Sequence, residues 1–142
     1  MEEFIVKQLE VVAGIIICNG EILCVQRGEA KYDYVSYKFE FPGGKIEQGE
    51  TPVLALKREL QEELELVLDV REQDLFMEIR HCYPDFSIHM YSYVCRVPNK
   101  KFKLKEHKSY QWLKIKELET LEWLPADVAI VEKLMLTGDA KC

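Results

Sequence analysis

Residues 51–66 constrain the fold more than any other stretch of this chain. Thr51 offers a side-chain acceptor suited to a helix N-cap, and Pro52 suits the first helical position, where its missing N–H costs nothing. The spacing predicts a helix to about Leu64. At about 100° per residue, Val53, Leu56, Leu60 and Leu64 form one apolar stripe, which must be buried against another layer. Glu59, Glu62 and Glu63 fall in an arc of about 100° beside that stripe, not opposite it, and Ala55 leaves space among them. Like charges at i,i+3 and i,i+4 repel by about 0.2–0.5 kcal/mol per pair on an exposed helix. The helix dipole adds to that cost near the C-terminus. A local rule broken without a stability gain marks a functional site. Clustered carboxylate oxygens are the donors that hard divalent cations take. A solvated charged face is the competing explanation.

The charge distribution points the same way. The chain has 142 residues, 25 acidic and 19 basic, for a net charge of −6. Residues 40–65 hold seven acids (Glu40, Glu47, Glu50, Glu59, Glu62, Glu63, Glu65) and three bases, so −4 of the −6 lies there. An acidic chain is a poor partner for a nucleic-acid polymer by charge alone. The start, Met1-Glu2-Glu3, lacks the basic and apolar regions of a secretory signal. The longest clear apolar run, Val11 to Cys18, is too short to span a bilayer. Five cysteines without CxxC spacing read as free thiols in a cytoplasmic protein, with Cys18, Cys24, Cys82 and Cys95 acting as small hydrophobes. His81, His89 and His107 lack zinc-ligand spacing.

Around the helix, residues 8–18 read as a strand and Asn19-Gly20 as a hairpin turn, with Glu21 to Gln26 returning. Residues 29–37 read as a polar loop, and Lys38 to Phe41 as a short strand ended by Pro42-Gly43-Gly44. Residues 73–82, 86–97 and Tyr110 to Leu113 read as further strands. The lysine-rich stretch 100–105, with Phe102 and Leu104 alternating, reads as a charged edge strand. Pro125 opens a last helix through about Leu136. Interleaved strands and helices predict an α+β (α/β) domain over residues 1–142, a mixed sheet with helices packed on it.

The string from Gly44 through Glu50 to Arg58-Glu59-Leu60, then Glu62-Glu63, resembles the Nudix box GX5EX7REUXEEXGU, with Leu66 at its last aliphatic position. Glu65 stands where the box has glycine. Glycine suits the left-handed end of a helix, so the helix exit is the point of doubt. The segment Phe39 to Pro52 is similar to the MutT and CTP pyrophosphohydrolase branch. The resemblance implies a Nudix α/β/α sandwich and a hydrolase acting on nucleoside diphosphate linkages with Mg2+ or Mn2+.

By position in the motif, the resemblance implies metal binding by Glu59, Glu62, Glu63 and the Gly43 carbonyl, with Glu106 a further metal-site glutamate. It makes Glu59 the water-activating base, shared with Glu106, and Arg58 the residue that orients Glu59 or Glu62. Gly44 and Glu50 are structural, Glu50 bracing the loop on the helix. Arg27 corresponds to a phosphate-contacting arginine. Asp127 stands where the branch has a base-reading polar residue; an ionised aspartate only accepts hydrogen bonds, which fits the cytosine N4 amine and also the guanine donors. Phe86 replaces an arginine of the MutT-like segment, and Phe41, Tyr83 and Phe86 could stack on a base. The expectation is a nucleoside triphosphate pyrophosphohydrolase acting on CTP, dCTP or modified pyrimidine nucleotides. An 8-oxo-dGTP diphosphatase is the alternative, and a catalytically silent nucleotide- or ADP-ribose-binding regulator is the alternative of another class. No membrane partner is implied, and monomer and homodimer stay open.

Overall fold

The computed structural model describes residues 7–138. Met1-Glu2-Glu3 and Cys142 lie outside the described residues. The elements are β1 (Gln8–Cys18), β2 (Glu21–Gln26), β3 (Phe39–Glu40), β4 (Gly43–Lys45), α1 (Pro52–Leu64), β5 (Leu75–Cys82), β6 (Ser87–Arg96), β7 (Ser109–Lys114) and α2 (Pro125–Thr137). The strands form one sheet in the order β3-β2-β1-β6-β5, with β4 added to β1 and β7 to β2. β1 and β6 run parallel, from Gln8 opposite Ser87 to Ile17 opposite Arg96. The other strand pairings are antiparallel, so the sheet is mixed.

Alternation along the strands builds the layers. Ala13, Ile15 and Ile17 of β1 and Ile22 and Cys24 of β2 pack in one core with Ile130 and Leu134 of α2. Val12, Ile16, Leu23 and Val25 point the other way and pack with Leu56, Leu60 and Leu64 of α1. β1 is apolar throughout its second half because both of its faces are covered. Gly14 lets α1 come close: a Cβ there would sit 3.2 Å from Leu60 Cδ1. The Thr51 side chain accepts from the Leu54 N–H and Pro52 opens α1, as the sequence predicts.

Four local expectations change. The short strand β3 does end before Pro42, but Gly43-Gly44 does not stay a turn; it forms β4 against Val11–Ala13 of β1. Residues 100–105 are not a strand. Lys103 N–H donates to the Leu64 carbonyl at 2.9 Å instead, which fastens this segment to the end of α1. Ala55 is buried, so that side of the helix is covered and not open. Cys82 is exposed, unlike Cys18, Cys24 and Cys95. The helix exit is also settled. Glu65 adopts the left-handed conformation, φ 55° and ψ 37°, at the strain a side chain incurs there. Its carboxylate pairs with Lys105 at 2.8 Å, which keeps an acid in a glycine's place.

Candidate active site

β4 joins the loop to α1. A Cβ on Gly43 would stand 1.9 Å from the Val12 carbonyl oxygen, and one on Gly44 2.2 Å from the Glu59 carboxyl carbon. Only bare backbone lets β4 and the Glu59 carboxylate share this space. Arg58 spans the arrangement. Its Nε donates to Glu50 Oε2 at 2.6 Å and its Nη2 to Glu50 Oε1 at 2.9 Å, a bidentate fork. Nη2 also donates to the Lys45 carbonyl at 2.9 Å. Nη1 donates to Glu59 Oε1 at 3.0 Å and to Glu62 Oε1 at 3.2 Å. Glu50 accepts the Glu47 N–H as well, and these donors, Arg58 first, hold its carboxyl down at about 2. One guanidinium thus ties the loop, β4 and two helix glutamates together.

Glu63 has no such partner. Its Oε1 is buried without a hydrogen bond. Burial first, then Glu59, Glu106 and Glu40, push its carboxyl up to about 8. Burial also raises Glu59. Glu62 is the outermost of the three, its side chain 60% exposed against 15% for Glu59. Helix α1, β3 and the segment before β7 therefore deliver carboxylates to one place. Among the described residues no set of three is yet drawn in as a finished metal cage. The residues nonetheless fit a hard cation: a buried oxygen lacks a partner, adjacent carboxylates raise one another's proton affinity, and the donor set is oxygen.

Glu40 was not singled out by the sequence reading. It lies between the buried Phe39 and Phe41, and an acid in that setting is the signal that could have found it. Glu40 Oε1 accepts from Arg27 Nε at 3.1 Å, and Oε2 lies 3.1 Å from His107 Nε2. His107 Nδ1 is buried without a partner. Arg27 and Glu106 are thus joined to the cluster through Glu40 and through the residue after Glu106.

Beside the carboxylates opens a cavity of about 320 Å³. Arg27, Glu40, Gly43, Gly44, Tyr32, Tyr83, Phe86 and Asp127 line it, and Gly44 brings it up against the Glu59 carboxylate of α1. Phe41 also borders it, but its ring stacks on Trp123 at 4.7 Å. Its backbone N–H donates to Asp127 Oδ2 at 2.8 Å. Asp127 is 2% exposed. Burial, with Glu40 next, lifts its carboxyl well above the ordinary 3.8. The acceptor-only expectation therefore changes: the protonated form, which donates as well as accepts, becomes accessible.

That shift has a sign. A carboxyl raised in the native state contributes stability that is complete below its ordinary value and lost as pH rises through the native one. Asp127→Asn keeps an acceptor for the Phe41 N–H and removes the titration. As pH rises above about 4, the ordinary aspartate value, its unfolding free energy in urea is expected to fall less than the parent's. Parallel curves would show that Asp127 is not raised.

A NUDIX domain model matches residues 8–134. The chain belongs to the NUDIX family. It is similar to the 8-oxo-dGTP diphosphatase of Escherichia coli (strain K12), 33% identical over 90% of this chain and 97% of that one. It is also similar to the CTP pyrophosphohydrolase of the same organism, 32% identical over 95% and 97%. Among solved structures, the MutT protein of Methicillin Resistant Staphylococcus aureus 252 superposes with a TM-score of 0.72 at 38% identity, covering 94% of this chain and 99% of that one.

The mixed sheet between helices is the Nudix fold, and the chain is a Nudix pyrophosphohydrolase. Nudix hydrolases generally use divalent cations, which agrees with the donor set around Glu59 and Glu63. Among the described residues no helix is long and apolar enough to cross a membrane. Of this Nudix site, Glu40, His107 and Tyr32 escaped the sequence reading. Tyr32 sits in Lys31-Tyr32-Asp33-Tyr34-Val35-Ser36-Tyr37, whose flanking polar residues gave the whole stretch the look of a plain loop.

Proposed function

We propose that this Nudix hydrolase cleaves a nucleoside triphosphate to its monophosphate and pyrophosphate in the presence of Mg2+. The observation that carries the reading is the carboxylate cluster on α1 beside an aromatic-walled cavity that a buried acid, Asp127, also lines. Glu59, Glu62, Glu63, Glu106 and the Gly43 carbonyl would hold the cation, or Mn2+ in its place. The metal supplies charge neutralisation along the polyphosphate and a more acidic water. Glu59 takes the water's proton, with Glu106 beside it, and Arg58 keeps Glu59 and Glu62 oriented. Arg27, at the rim, reaches the phosphates from its anchor on Glu40. The base lies against the wall formed by Tyr32, Tyr83 and Phe86, with Asp127 reading its edge.

Two bases remain in view. Cytosine offers Asp127 a donor amine beside an acceptor nitrogen, and Phe86 presents an apolar face where the MutT-like segment has an arginine. CTP, dCTP or a modified pyrimidine nucleotide is one reading. The relative named 8-oxo-dGTP diphosphatase supports the oxidised purine at least as well, because the guanine edge also pairs donors with an acceptor. The test is a panel of CTP, dCTP, 5-methyl-dCTP, dGTP and 8-oxo-dGTP with Mg2+, read as pyrophosphate release. One class is expected to exceed dGTP at least tenfold in kcat/KM, about 1.4 kcal/mol. Nucleotide binding with no pyrophosphate from any of them would overturn the reading in favour of a silent regulator. The oligomeric form, monomer or homodimer, does not enter this reading, since every residue in it comes from one chain.

A further inference from the structure

The aromatic wall of the cavity is built by two segments that are far apart in sequence. Residues 29–37 join β2 to β3, and Tyr83–Phe86 join β5 to β6. Their rings close a cycle. Tyr32 stacks on Tyr34, with centroids 5.3 Å apart and planes 9° apart, and Tyr34 stacks on Tyr83 at 5.4 Å and 16°. Tyr83 meets Phe86 at 4.9 Å, and Phe86 returns to Tyr32 at 6.0 Å. The cycle is anchored below, where the Tyr83 hydroxyl accepts from the Ala126 N–H at 3.0 Å, one residue from Asp127. At its rim a single polar contact ties the two segments: the Tyr34 hydroxyl donates to Asp85 Oδ2 at 2.8 Å. Tyr32, Tyr83 and Phe86 line the cavity, whereas Tyr34 and Asp85 do not.

This asymmetry separates the rings that would touch a base from the pair that holds them in place. We propose that Tyr34 and Asp85 are positioning residues for base recognition, a latch that fixes Tyr32, Tyr83 and Phe86 as one stacking face for the base. The proposal rests on the nucleotide reading above and names what within this chain holds its stacking face together. Aromatic pairs prefer offset geometry at fixed spacings, and Tyr32 and Phe86 already meet at 6.0 Å, so a base stacks against the face they share, which keeps its shape only while both segments hold their places. Stacking alone tolerates sliding. The hydroxyl–carboxylate bond is directional and does not. Pre-ordering the wall lowers the entropy lost on binding. It leaves the phosphate end untouched, because nothing in the latch contacts α1.

Three variants test the latch. Tyr34→Phe keeps the ring and removes the donor, Asp85→Ala removes the acceptor, and Asp85→Asn keeps a neutral acceptor. Tyr34→Phe and Asp85→Ala are expected to raise KM for the best triphosphate about 3–10-fold with kcat within twofold, and their double variant to be no worse than either alone. Asp85→Asn is expected to recover most of the loss. CMP and 8-oxo-dGMP, titrated by fluorescence without metal, should lose affinity by the same factor as KM. Inorganic tripolyphosphate, which has no base, should inhibit parent and variants equally. Unchanged KM and monophosphate affinity in Tyr34→Phe would overturn the latch. Equal weakening of tripolyphosphate would overturn it too, since the defect would then be general. If the parent turns over no triphosphate while the variants still weaken monophosphate binding, the latch stands and the enzymatic reading falls.

Discussion

Glu59→Gln is expected to lower kcat about 10²–10⁴-fold with the fold intact. The two side chains have nearly the same shape, so the Arg58 Nη1 contact to the Oε1 position survives. What disappears is the negative charge and the ability to take a proton. Glu59 is one of the two α1 carboxylates raised by their surroundings, and it is the one held in place by both Arg58 and the bare backbone of Gly44. The measurement is pyrophosphate release at saturating Mg2+ and triphosphate, with thermal unfolding of the same preparation as a check. A kcat near the parent's would take Glu59 out of the reaction and leave the cluster a metal-free charged face.

Adding one methyl group to either glycine of β4 should give opposite signatures. In Gly43→Ala the new Cβ meets backbone, the Val12 carbonyl oxygen at 1.9 Å, and backbone in the central strand cannot retreat. The expected loss is about 3 kcal/mol of folding stability, seen as a lower urea midpoint. In Gly44→Ala the Cβ meets the far end of the flexible Glu59 side chain at 2.2 Å. That carboxylate can swing aside at small cost to folding, but it then leaves its place. A misplacement of about 1 Å can cost about 10²-fold in rate. Gly44→Ala should therefore unfold nearly as the parent does while losing about 10²-fold in kcat. A Gly44→Ala enzyme with parental kcat would show that the Glu59 position is not critical.

These glycines mark the boundary of what sequence reading reaches. The α1 stripe and its Thr51 cap were legible because helix spacing and capping are local properties. The box was legible because its residues lie within one short span. β4 was not, since Pro-Gly-Gly reads as a strand end unless β1 is known to lie alongside. Likewise, the burial that lifts the Asp127 carboxyl is not legible locally, since its side chain accepts from the Phe41 N–H, a contact across 86 residues. The lysine stretch misled for a related reason: its alternation is real, but the carbonyl at the end of α1 claims the Lys103 N–H before any strand can.

The parallel pairing of β1 with β6 bears on how the chain is made. Each β1 residue waits for a partner 79 positions later, Gln8 for Ser87 and Ile17 for Arg96. At synthesis rates of about 5–20 residues per second that delay is about 4–16 s. The β1–β2 hairpin can close early through Asn19-Gly20, and β4 soon after it. The other long edge of β1 stays open, with Val11–Cys18 among its residues. The central strand of the finished sheet thus keeps one apolar edge open through more than half of synthesis, and is a place where a nascent-chain chaperone should be found bound.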